Sequence, residues 1–424
     1  MNILMMTNTY RPYVGGVARS VEAFTEEFRR RGHRVLVVAP RYENARDDEP
    51  GLIRVPAIQN FNGSDMSVRV AIPGLLAAKL ANFAPDVVHA HQPFLMGDAA
   101  LRVAVGRNLP LVFTYHTMWE SYGHYVPGDS PVMRRFIVAL ATGYANLCDT
   151  VIAPSRSIRN LLMSRGVQSP VAIIPTGIEV DRFAEGDGNA FRRRTGIPAG
   201  AYVVGHVGRL AREKNHSFLA RAVARFIGDA DNRYFVVVGD GPMREHIETI
   251  FADCGLTDRL FAVGRLEGKH LIDAYAAFDV FAFASKTETQ GLVLIEAMAA
   301  GVPAVALDAR GVREVVRDRH NGAILNDQDV DAFADALEWI ASRFPDERRQ
   351  LAENAVQTAR RYQLDRCAAR TLQLYQNVIH IKKEKPAADT LWESAMRKLN
   401  AEWKVWSARA KAGAEALSAT AHHS

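Results

Sequence analysis

The sequence predicts an α/β protein of two domains, each with a doubly wound parallel sheet, and a cleft between the domains. Its 424 residues exceed what one ordinary hydrophobic core organises. With 48% apolar and 23% charged residues, the composition is that of a globular chain. Short apolar runs alternate with stretches of helical periodicity, which is the pattern that the βα units of a parallel sheet produce.

In the first half, buried strands are expected at short apolar runs that cover residues 3–6, 35–39, 87–91, 111–115 and 150–154. Amphipathic stretches such as residues 18–31 and 133–147 lie between these runs and predict helices. The pattern restarts near Pro175-Thr176-Gly177, so the first domain is assigned to residues 1–178.

A second set of strands is expected at residues 202–207, 234–239, 260–263, 280–284 and 304–307. The polar segment 185–200 is expected to open this second domain, which is assigned to residues 179–365. Residues 366–385 are expected to form a C-terminal helix that crosses back toward the first domain.

Residues 386–424 form a tail with an amphipathic, tryptophan-rich stripe. Its apolar positions step by four and three, at Trp392, Met396, Leu399, Trp403, Trp406 and Ala410. Tryptophan with lysine and arginine neighbours suits a helix that lies in a membrane interface. Packing on the protein's own body and a coiled-coil seam are the alternatives, and the tail leaves all three open.

The net charge and the cysteine content limit the possible binding partners and the possible cellular compartment of the protein. The net charge is +5, and residues 1–175 hold the excess, with 18 Lys and Arg against 13 Asp and Glu. This excess of positive charge fits binding to an anionic membrane surface, or no charged partner at all. Binding to nucleic acid would need basic residues clustered with stacking aromatics.

Three distant cysteines fit neither a metal site nor a disulfide framework and indicate a reducing cytoplasm. No signal peptide is visible, and no apolar run reaches the roughly 20 residues that cross a bilayer.

The most informative stretch is residues 285–301, S-K-T-E-T-Q-G-L-V-L-I-E-A-M-A-A-G. An apolar run precedes it and a second follows, so it predicts a strand, a polar loop, a short helix and another strand. Glu288 falls in the loop and Glu296 in the helix. Both carboxylates can then face one pocket at the carboxyl end of the strand, where α/β sheets bind ligands.

Cations for a phosphate follow the first strand of the second domain. Arg209 offers a fixed fork of donors and Lys214 a mobile point charge, and phosphate oxygens accept from both, whereas Arg212 is expected at the surface. The helix beginning near Gly291 has free N–H groups and a positive dipole end, which favour a phosphate there. The glycine turn at residues 239–241 is weak evidence by itself, since most domains of this kind have one.

Two polar segments follow strands of the first domain. Gly15 and Gly16 follow the opening strand in Y-R-P-Y-V-G-G-V and let a backbone approach a ligand closely, but they do not form the dinucleotide fingerprint, which disfavours NAD. Residues 114–125, T-Y-H-T-M-W-E-S-Y-G-H-Y, gather hydroxyl, imidazole and aromatic groups around His116. His89 and His91 also end a strand and are interpreted as structural or supporting residues.

Together these motifs resemble the retaining, nucleotide-sugar-dependent glycosyltransferases of family GT4, with the GT-B fold of two Rossmann-like domains facing across a cleft. The resemblance covers residues 1 to about 380, and the pattern S-x-x-E-x-x-G-x-x-x-x-E-A-M-A-x-G-x-P carries it. It implies catalytic roles for His116, Glu288, Arg209 and Lys214. It implies donor contacts at Gly16, Arg209, Lys214, Arg265, Glu288, Thr289, Gln290, Gly291, Leu292 and Glu296. It implies acceptor-side roles for Gly15, Gly16, His116, Trp119 and Glu120.

Residues 116–125 and 287–297 are most similar to the diacylglycerol glucosyltransferases of bacterial glycolipid synthesis. This likeness implies transfer of glucose from a UDP-sugar to a lipid acceptor by a cytoplasmic protein on the inner face of the membrane. Other acceptors, such as phosphatidylinositol, a lipid-linked precursor or a soluble sugar, stay open, as do UDP-glucuronic acid and UDP-galactose as donors. A non-catalytic protein that binds sugar nucleotides is the alternative from another class.

No metal or cofactor is expected. No D-x-D element follows a predicted strand, and Asp229-Ala230-Asp231 lies in a polar segment expected to form a surface turn. Arg209, Lys214 and the helix dipole are expected to meet the phosphate charge in place of a divalent ion.

Overall fold

The computed structural model describes residues 1–13, 15–42, 49–58, 68–69, 78, 80, 82–120 and 130–384. The chain divides into two compact units. The first comprises Met1–Gly177 together with the described residues from Asp365 onward, and the second comprises Ile178–Leu364. Val14, residues 121–129 and the tryptophan-rich tail, all of which carry sequence predictions, lie outside the described residues.

The first unit is built on a parallel sheet with the strand order β3-β2-β1-β6-β7-β8-β9. Its strands are β1 Asn2–Met6, β2 Arg34–Pro40, β3 Leu52–Val55, β6 Val87–Ala90, β7 Leu111–Thr114, β8 Thr150–Ala153 and β9 Val171–Ile173. A short antiparallel pair joins β4 Ala57–Ile58 to β5 Val68–Arg69. The order reverses between β1 and β6, and such a switch point is where open α/β sheets bind ligands.

The helices of this unit are α1 Gly16–Arg30, α2 Met96–Gly106, α3 Pro131–Ala145, α4 Arg156–Ser164 and, across the unit boundary, α13 Leu364–Glu384. Ser130 and Ser155 cap α3 and α4 by accepting hydrogen bonds from Met133 N and Ile158 N. Helix α13 returns to the first unit through the fully buried Tyr375, whose ring meets Phe28 of α1 edge-on. The C-terminal helix is therefore part of the first unit's core.

The second unit repeats the plan with the order β12-β11-β10-β13-β14-β15. Its strands are β10 Tyr202–Val207, β11 Arg233–Val238, β12 Leu260–Gly264, β13 Val280–Phe283, β14 Ala304–Leu307 and β15 Gly322–Leu325. Its helices are α5 Val180–Phe183, α6 Gly188–Thr195, α7 His216–Gly228, α8 Arg244–Asp253, α9 Gly268–Ala276, α10 Leu292–Ala299, α11 Val330–Ala341 and α12 Pro345–Ala359. Numbered within the unit, the strand order is 3-2-1-4-5-6, that of a doubly wound nucleotide-binding sheet.

The predicted fold class is confirmed, with local differences. Segment 185–200 does not open the second unit, which begins at Ile178. It contains α6 instead, because Asp187 caps that helix and Phe191 buries its single large apolar side chain. Strands β3, β9 and β15 were not predicted, since each is a short edge or near-edge strand without a long apolar run.

Within the described residues, no helix combines the length and the apolar character needed to cross a membrane. Cys148, Cys254 and Cys367 are all free thiols.

Candidate functional site

The strongest candidate site lies at the carboxyl edge of the second unit's sheet. Strands β10 and β13 are neighbours at the point where the strand order reverses. Arg209 and Lys214 lie on the segment that follows β10, and Glu288 lies on the loop that follows β13. The fold therefore brings together three residues that the sequence predicted for one site.

Lys214 and Glu288 contact each other directly. The Lys214 Nζ donates to Glu288 Oε1 over 2.6 Å, and both side chains are about one-fifth exposed, at 20% and 18%. Burial by itself would raise the pKa of Glu288, but the charge and hydrogen bond of Lys214, with help from Ser285 and Arg209, lower it overall. Glu288 is therefore a carboxylate at neutral pH.

Arg209 is anchored on both its side chain and its main chain. Its guanidinium donates to Glu213 Oε1 over 2.6 Å, where Glu213 is 4% exposed. The Nε2 of His216 lies 3.0 Å from the Arg209 carbonyl oxygen. Burial lowers the pKa of His216, so a neutral imidazole donates this bond. His216 is a supporting residue that the sequence analysis missed, although its place at the start of α7, after the left-handed Asn215, could have indicated it.

Helix α10 begins as the sequence predicted. Gly291 precedes it in the left-handed conformation, with φ 75°, which a residue with a Cβ rarely adopts. Gly291, as the N-cap residue, has no side chain that could cap this helix. The helix's first amides and its positive dipole end thus stand beside the loop of Glu288, Thr289 and Gln290, an arrangement that suits an anion.

Gly311 is a second residue that the sequence analysis missed. It follows β14, and its N–H donates to the Glu288 carbonyl oxygen over 3.2 Å. A Cβ at this position would lie 2.4 Å from the Gln290 nitrogen, closer than atoms tolerate. The loop after β14 therefore holds the backbone of residues 288–290 in place, and only glycine permits that approach.

Glu296 lies inside α10 and is 5% exposed. Its Oε2 accepts a hydrogen bond of 2.7 Å from the hydroxyl of Tyr275, a fully buried residue of α9. Tyr275 orients one oxygen of the carboxylate and is a further residue that sequence reasoning did not identify.

Arg265 lies after β12, and its two ends have different partners. Its backbone N–H donates to Asp240 Oδ2 over 3.1 Å, and its guanidinium Nε lies 2.9 Å from Glu267 Oε1 on an exposed surface. The donor contact that the resemblance implies for Arg265 stays a prediction.

The first unit places its predicted residues after β1 and β7. Gly15 has an extended backbone, with φ −172°, and Gly16 is the first residue of α1. A Cβ on Gly15 would lie 2.8 Å from the ring of Tyr13. Here glycine leaves room for Tyr13 and is not required by backbone conformation, and the predicted ligand contacts of both glycines stay predictions.

Three histidines meet at the carboxyl edge of this sheet. His91 Nδ1 lies 3.0 Å from His116 Nε2. His89 lies beneath them, with its two ring nitrogens 2.6 Å from Tyr375 Oη and 2.7 Å from Thr114 Oγ1. Burial lowers the pKa of His89 and of His116 to about 3 and that of His91 well below its usual value. All three imidazoles are neutral near pH 7.

Trp119 and Glu120 lie close after β7. The Trp119 ring meets Phe94 edge-on, with centroids 5.1 Å apart. Glu120 Oε1 is bonded to Arg165, which also donates to Tyr115 Oη over 2.9 Å. Among the residues described, Trp119 Nε1 and Glu120 Oε2 are buried without a hydrogen-bond partner. One atom is a donor and the other an acceptor.

The described ranges contain no group of three or more His, Cys, Asp or Glu side chains placed to hold a metal ion. Metal independence stays a prediction. Asp229 and Asp231 lie at the surface, as expected, where Asp231 pairs with Arg259.

Two family models match the chain, one over each unit. Residues 14–182 match Glycosyltransferase Family 4, and residues 187–358 match Glycosyl transferases group 1.

Curated relatives match the chain in sequence over most of their length. An alpha-monoglucosyldiacylglycerol synthase of Streptococcus pneumoniae is 29% identical over 76% of this chain and 75% of its own. A GDP-mannose-dependent alpha-mannosyltransferase of Mycolicibacterium smegmatis is 32% identical over 82% of this chain and 90% of its own. A D-inositol 3-phosphate glycosyltransferase of Xylanimonas cellulosilytica is 30% identical over 85% of this chain and 91% of its own. These three names differ in sugar and in acceptor.

A solved structure agrees in fold. Sucrose-phosphate synthase from Thermosynechococcus elongatus superposes with a TM-score of 0.75 at 21% identity, covering 90% of this chain and 99% of its own.

Proposed function

The chain belongs to the family 4 glycosyltransferases and is a hexosyltransferase of GT-B fold, and from this premise we propose that it transfers glucose from UDP-glucose to the free hydroxyl of diacylglycerol, with retention of the anomeric configuration. The second unit holds the donor, and the first unit holds the acceptor. The alternative of a non-catalytic sugar-nucleotide-binding protein fits less well, because the family models and the named relatives are glycosyltransferases.

The donor assignment depends on one observation, the meeting of Arg209, Lys214 and Glu288 beside the N-terminus of α10. The two cations and the helix dipole stabilise the charge that grows on the departing diphosphate. Glu288 accepts hydrogen bonds from hydroxyls of the sugar, and Glu296 accepts them from the ribose. No divalent ion is needed in this scheme, since the protein itself supplies the positive charge.

The acceptor assignment is supported by Trp119 and Glu120. A buried polar atom without a partner costs about 1–3 kcal/mol. We propose that an alcohol hydroxyl of the acceptor is the partner of one of these atoms, either accepting from the Trp119 N–H or donating to Glu120 Oε2. A phosphorylated acceptor fits less well, because a carboxylate repels it and the nearby Arg165 is already bonded to Glu120 and Tyr115.

The name of the relative from Streptococcus pneumoniae supports a glycerolipid acceptor. The distribution of basic residues and tryptophans supports binding to an anionic membrane surface. The positive charge is concentrated in residues 1–175, and the tail carries tryptophans among basic residues. We place the protein at the inner face of the cytoplasmic membrane as a peripheral protein.

The experiment is a matrix of donors and acceptors with the full-length purified protein. UDP-glucose, UDP-galactose, UDP-glucuronic acid and GDP-mannose are each incubated with vesicles that contain diacylglycerol, with vesicles that contain phosphatidylinositol and with soluble inositol phosphate. Mass spectrometry identifies the product, and proton NMR reads its anomeric configuration. The expected product is α-glucosyldiacylglycerol, formed from UDP-glucose alone. Product from another pair, or a β-linked product, would contradict the proposal.

Transfer of mannose from GDP-mannose is the second candidate. The mannosyltransferase of Mycolicibacterium smegmatis has the higher identity, 32% against 29%, and is matched over more of its own length. The same matrix separates the two, since a mannosylated product with no glucosylated one would favour this candidate.

A further inference from the structure

A tight turn of the first unit places a leucine where the backbone disfavours one. The turn leads from β6 into α2, and the Gly97 N–H closes it by donating to the Phe94 carbonyl oxygen over 3.2 Å. Leu95, the second residue of the turn, has φ 58° and ψ −87°. Gly, Asn and Asp dominate turn positions with positive φ, and a bulky side chain there costs free energy. Such strain persists only where the surrounding structure imposes it, and it concentrates at functional sites.

The side chain of Asn8 imposes this conformation. Its Oδ1 accepts from the Met96 N–H over 3.1 Å, and its Nδ2 donates to the Phe94 carbonyl oxygen over 3.2 Å. The two bonds hold the residues on either side of Leu95. Asn8 follows β1 and is 6% exposed, and its own N–H donates to Gln92 Oε1, after β6, over 2.7 Å. The turn is therefore fixed to both strands at the switch point of the first unit's sheet.

The turn presents apolar side chains beside a residue proposed for the acceptor. Met96 and Met118 are buried in the core, at 0% and 5% exposure. Phe94, Leu95 and Trp119 are only partly buried. The rings of Phe94 and Trp119 have centroids 5.1 Å apart, and both pack against the core of the unit. An acceptor whose hydroxyl lies at Trp119 thus has the turn beside it.

The chemistry of the turn favours an apolar chain over a sugar. An asparagine at position 95 would suit the backbone and offer hydrogen bonds to sugar hydroxyls, whereas leucine offers only apolar contact. Contact with a hydrocarbon chain removes the exposed part of the Leu95 side chain from water, which is favourable. The strain at this position is therefore explained by an apolar ligand.

We propose that Leu95 is a specificity-determining residue that contacts an acyl chain of the lipid acceptor, and that Asn8 is the positioning residue that holds Leu95 in this turn. This inference rests on the proposed function, because it takes the acceptor to be a glycerolipid whose hydroxyl lies near Trp119. All of these residues belong to the first unit. The contact selects acceptors with long acyl chains over acceptors with short ones.

The length of the acyl chain tests the contact. Leu95→Asn keeps nearly the shape of leucine and suits a positive φ, so it removes the apolar surface without adding strain. The full-length protein and UDP-glucose are incubated with dioctanoylglycerol or dibutyrylglycerol in the same detergent micelles. We expect kcat/KM to fall about tenfold for dioctanoylglycerol, as the loss of an apolar contact produces, and to change little for dibutyrylglycerol. The KM for UDP-glucose should stay the same.

Met163→Asn is the matched control, because Met163 is an apolar residue of α4 in the same unit and is 48% exposed. It should retain the wild-type preference for the longer chain. Leu95→Asn should unfold at or above the wild-type temperature, since it relieves the strain of the turn. A lower unfolding midpoint with equal losses for both acceptors would overturn the inference, as would wild-type kinetics in Leu95→Asn.

Asn8→Ser tests the positioning role, because serine is too short to hold both Phe94 and Met96. We expect it to reduce the preference for dioctanoylglycerol in the same way as Leu95→Asn. The double variant should show no greater loss of this preference than Leu95→Asn by itself, since Asn8 acts through Leu95. Additive losses of the preference in the double variant would overturn the role of Asn8.

A second measurement needs no sugar transfer. Dioctanoylglycerol with a diazirine in one acyl chain is photolysed in the presence of the full-length protein, and mass spectrometry locates the labelled residues. The expected labels lie at Phe94 or Leu95, and labels confined to other segments would overturn the inference. If the protein transfers no sugar to diacylglycerol, the proposed function fails, while the labelling still decides whether the turn binds an apolar chain.

Discussion

Lys214 Nζ and Glu288 Oε1 lie 2.6 Å apart, although the two residues are 74 positions apart in the chain. One follows β10 and the other follows β13, the two strands at the switch point of the second unit's sheet. The cation proposed for the diphosphate and the carboxylate proposed for the sugar thus hold each other in place. In the proposed function a bound sugar nucleotide contacts both residues of this pair. Removing either residue therefore also changes the environment of the other.

Removing the ammonium group tests the donor site. Lys214→Ala takes away a charge that stabilises the departing diphosphate and leaves the Glu288 carboxylate without its ion-pair partner. We expect kcat/KM for UDP-glucose to fall about 100-fold or more, the loss that follows removal of one such donor. Steady-state kinetics with diacylglycerol vesicles measure it.

Arg212→Ala is the matched control, because Arg212 is an exposed cation on the same segment. It should retain wild-type kinetics. Full activity in Lys214→Ala, or equal losses in both variants, would remove Lys214 from the donor site.

The Lys214–Glu288 pair also predicts a pH dependence of stability. The pKa of Glu288 is lower in the folded protein than its usual value. Such a group stabilises the fold above its unfolded pKa of about 4.3, and the contribution is lost as the pH falls through the lower folded pKa. The urea midpoint of the wild type should therefore be higher than that of Glu288→Gln at pH 7. This difference should shrink below about pH 4.3. A constant difference over this range would contradict the lowered pKa.

Glu296→Gln tests the proposed ribose contact. The amide keeps the shape and can still accept from Tyr275, but it loses the charge that strengthens hydrogen bonds to two neighbouring hydroxyls. We expect the KM for UDP-glucose to rise about tenfold, the effect of losing one charge-assisted hydrogen bond, with a smaller change in kcat. An unchanged KM with an unchanged unfolding midpoint would give Glu296 a purely structural role.

Gly311→Ala tests whether the loop after β14 holds the backbone of residues 288–290 in position. The new Cβ would lie 2.4 Å from the Gln290 nitrogen, so the backbone at residues 288–290 has to move. We expect a destabilisation of about 1–3 kcal/mol, as overpacking produces, and a higher KM for UDP-glucose. Gly228→Ala is the control, since nothing lies within 4 Å of a Cβ there. Wild-type KM and stability in Gly311→Ala would contradict the packing argument.

Deletion of residues 386–424 tests the role of the tail, whose sequence fits a membrane interface. Without its tryptophans and basic residues, the protein should co-sediment less with anionic vesicles, and the loss should be smaller with neutral vesicles, to which the basic residues are not attracted. Unchanged co-sedimentation would favour docking on the protein or self-association, and size-exclusion chromatography with light scattering separates those two outcomes.

Much of the fold follows from local sequence. Central strands such as β10 and β13 are nearly continuous apolar runs because helices cover both faces of a parallel sheet, and such runs are visible without a structure. The loop and helix of residues 285–301 are likewise local, since Gly291 and the following apolar residues fix where α10 begins. Edge strands such as β9 and β15 lack this signal, and they escaped prediction.

By itself, the sequence determined the fold class and the strand-end positions of Arg209, Lys214, Glu288 and His116. Only the tertiary structure decided their partners: Glu288 for Lys214, Tyr275 for Glu296, and His91 for His116. It also showed the support from His216 and Gly311. The physical reason is that secondary structure follows from interactions between near neighbours in the chain, whereas hydrogen bonds and ion pairs in a doubly wound sheet join loops that are distant in sequence and meet only when the strands align.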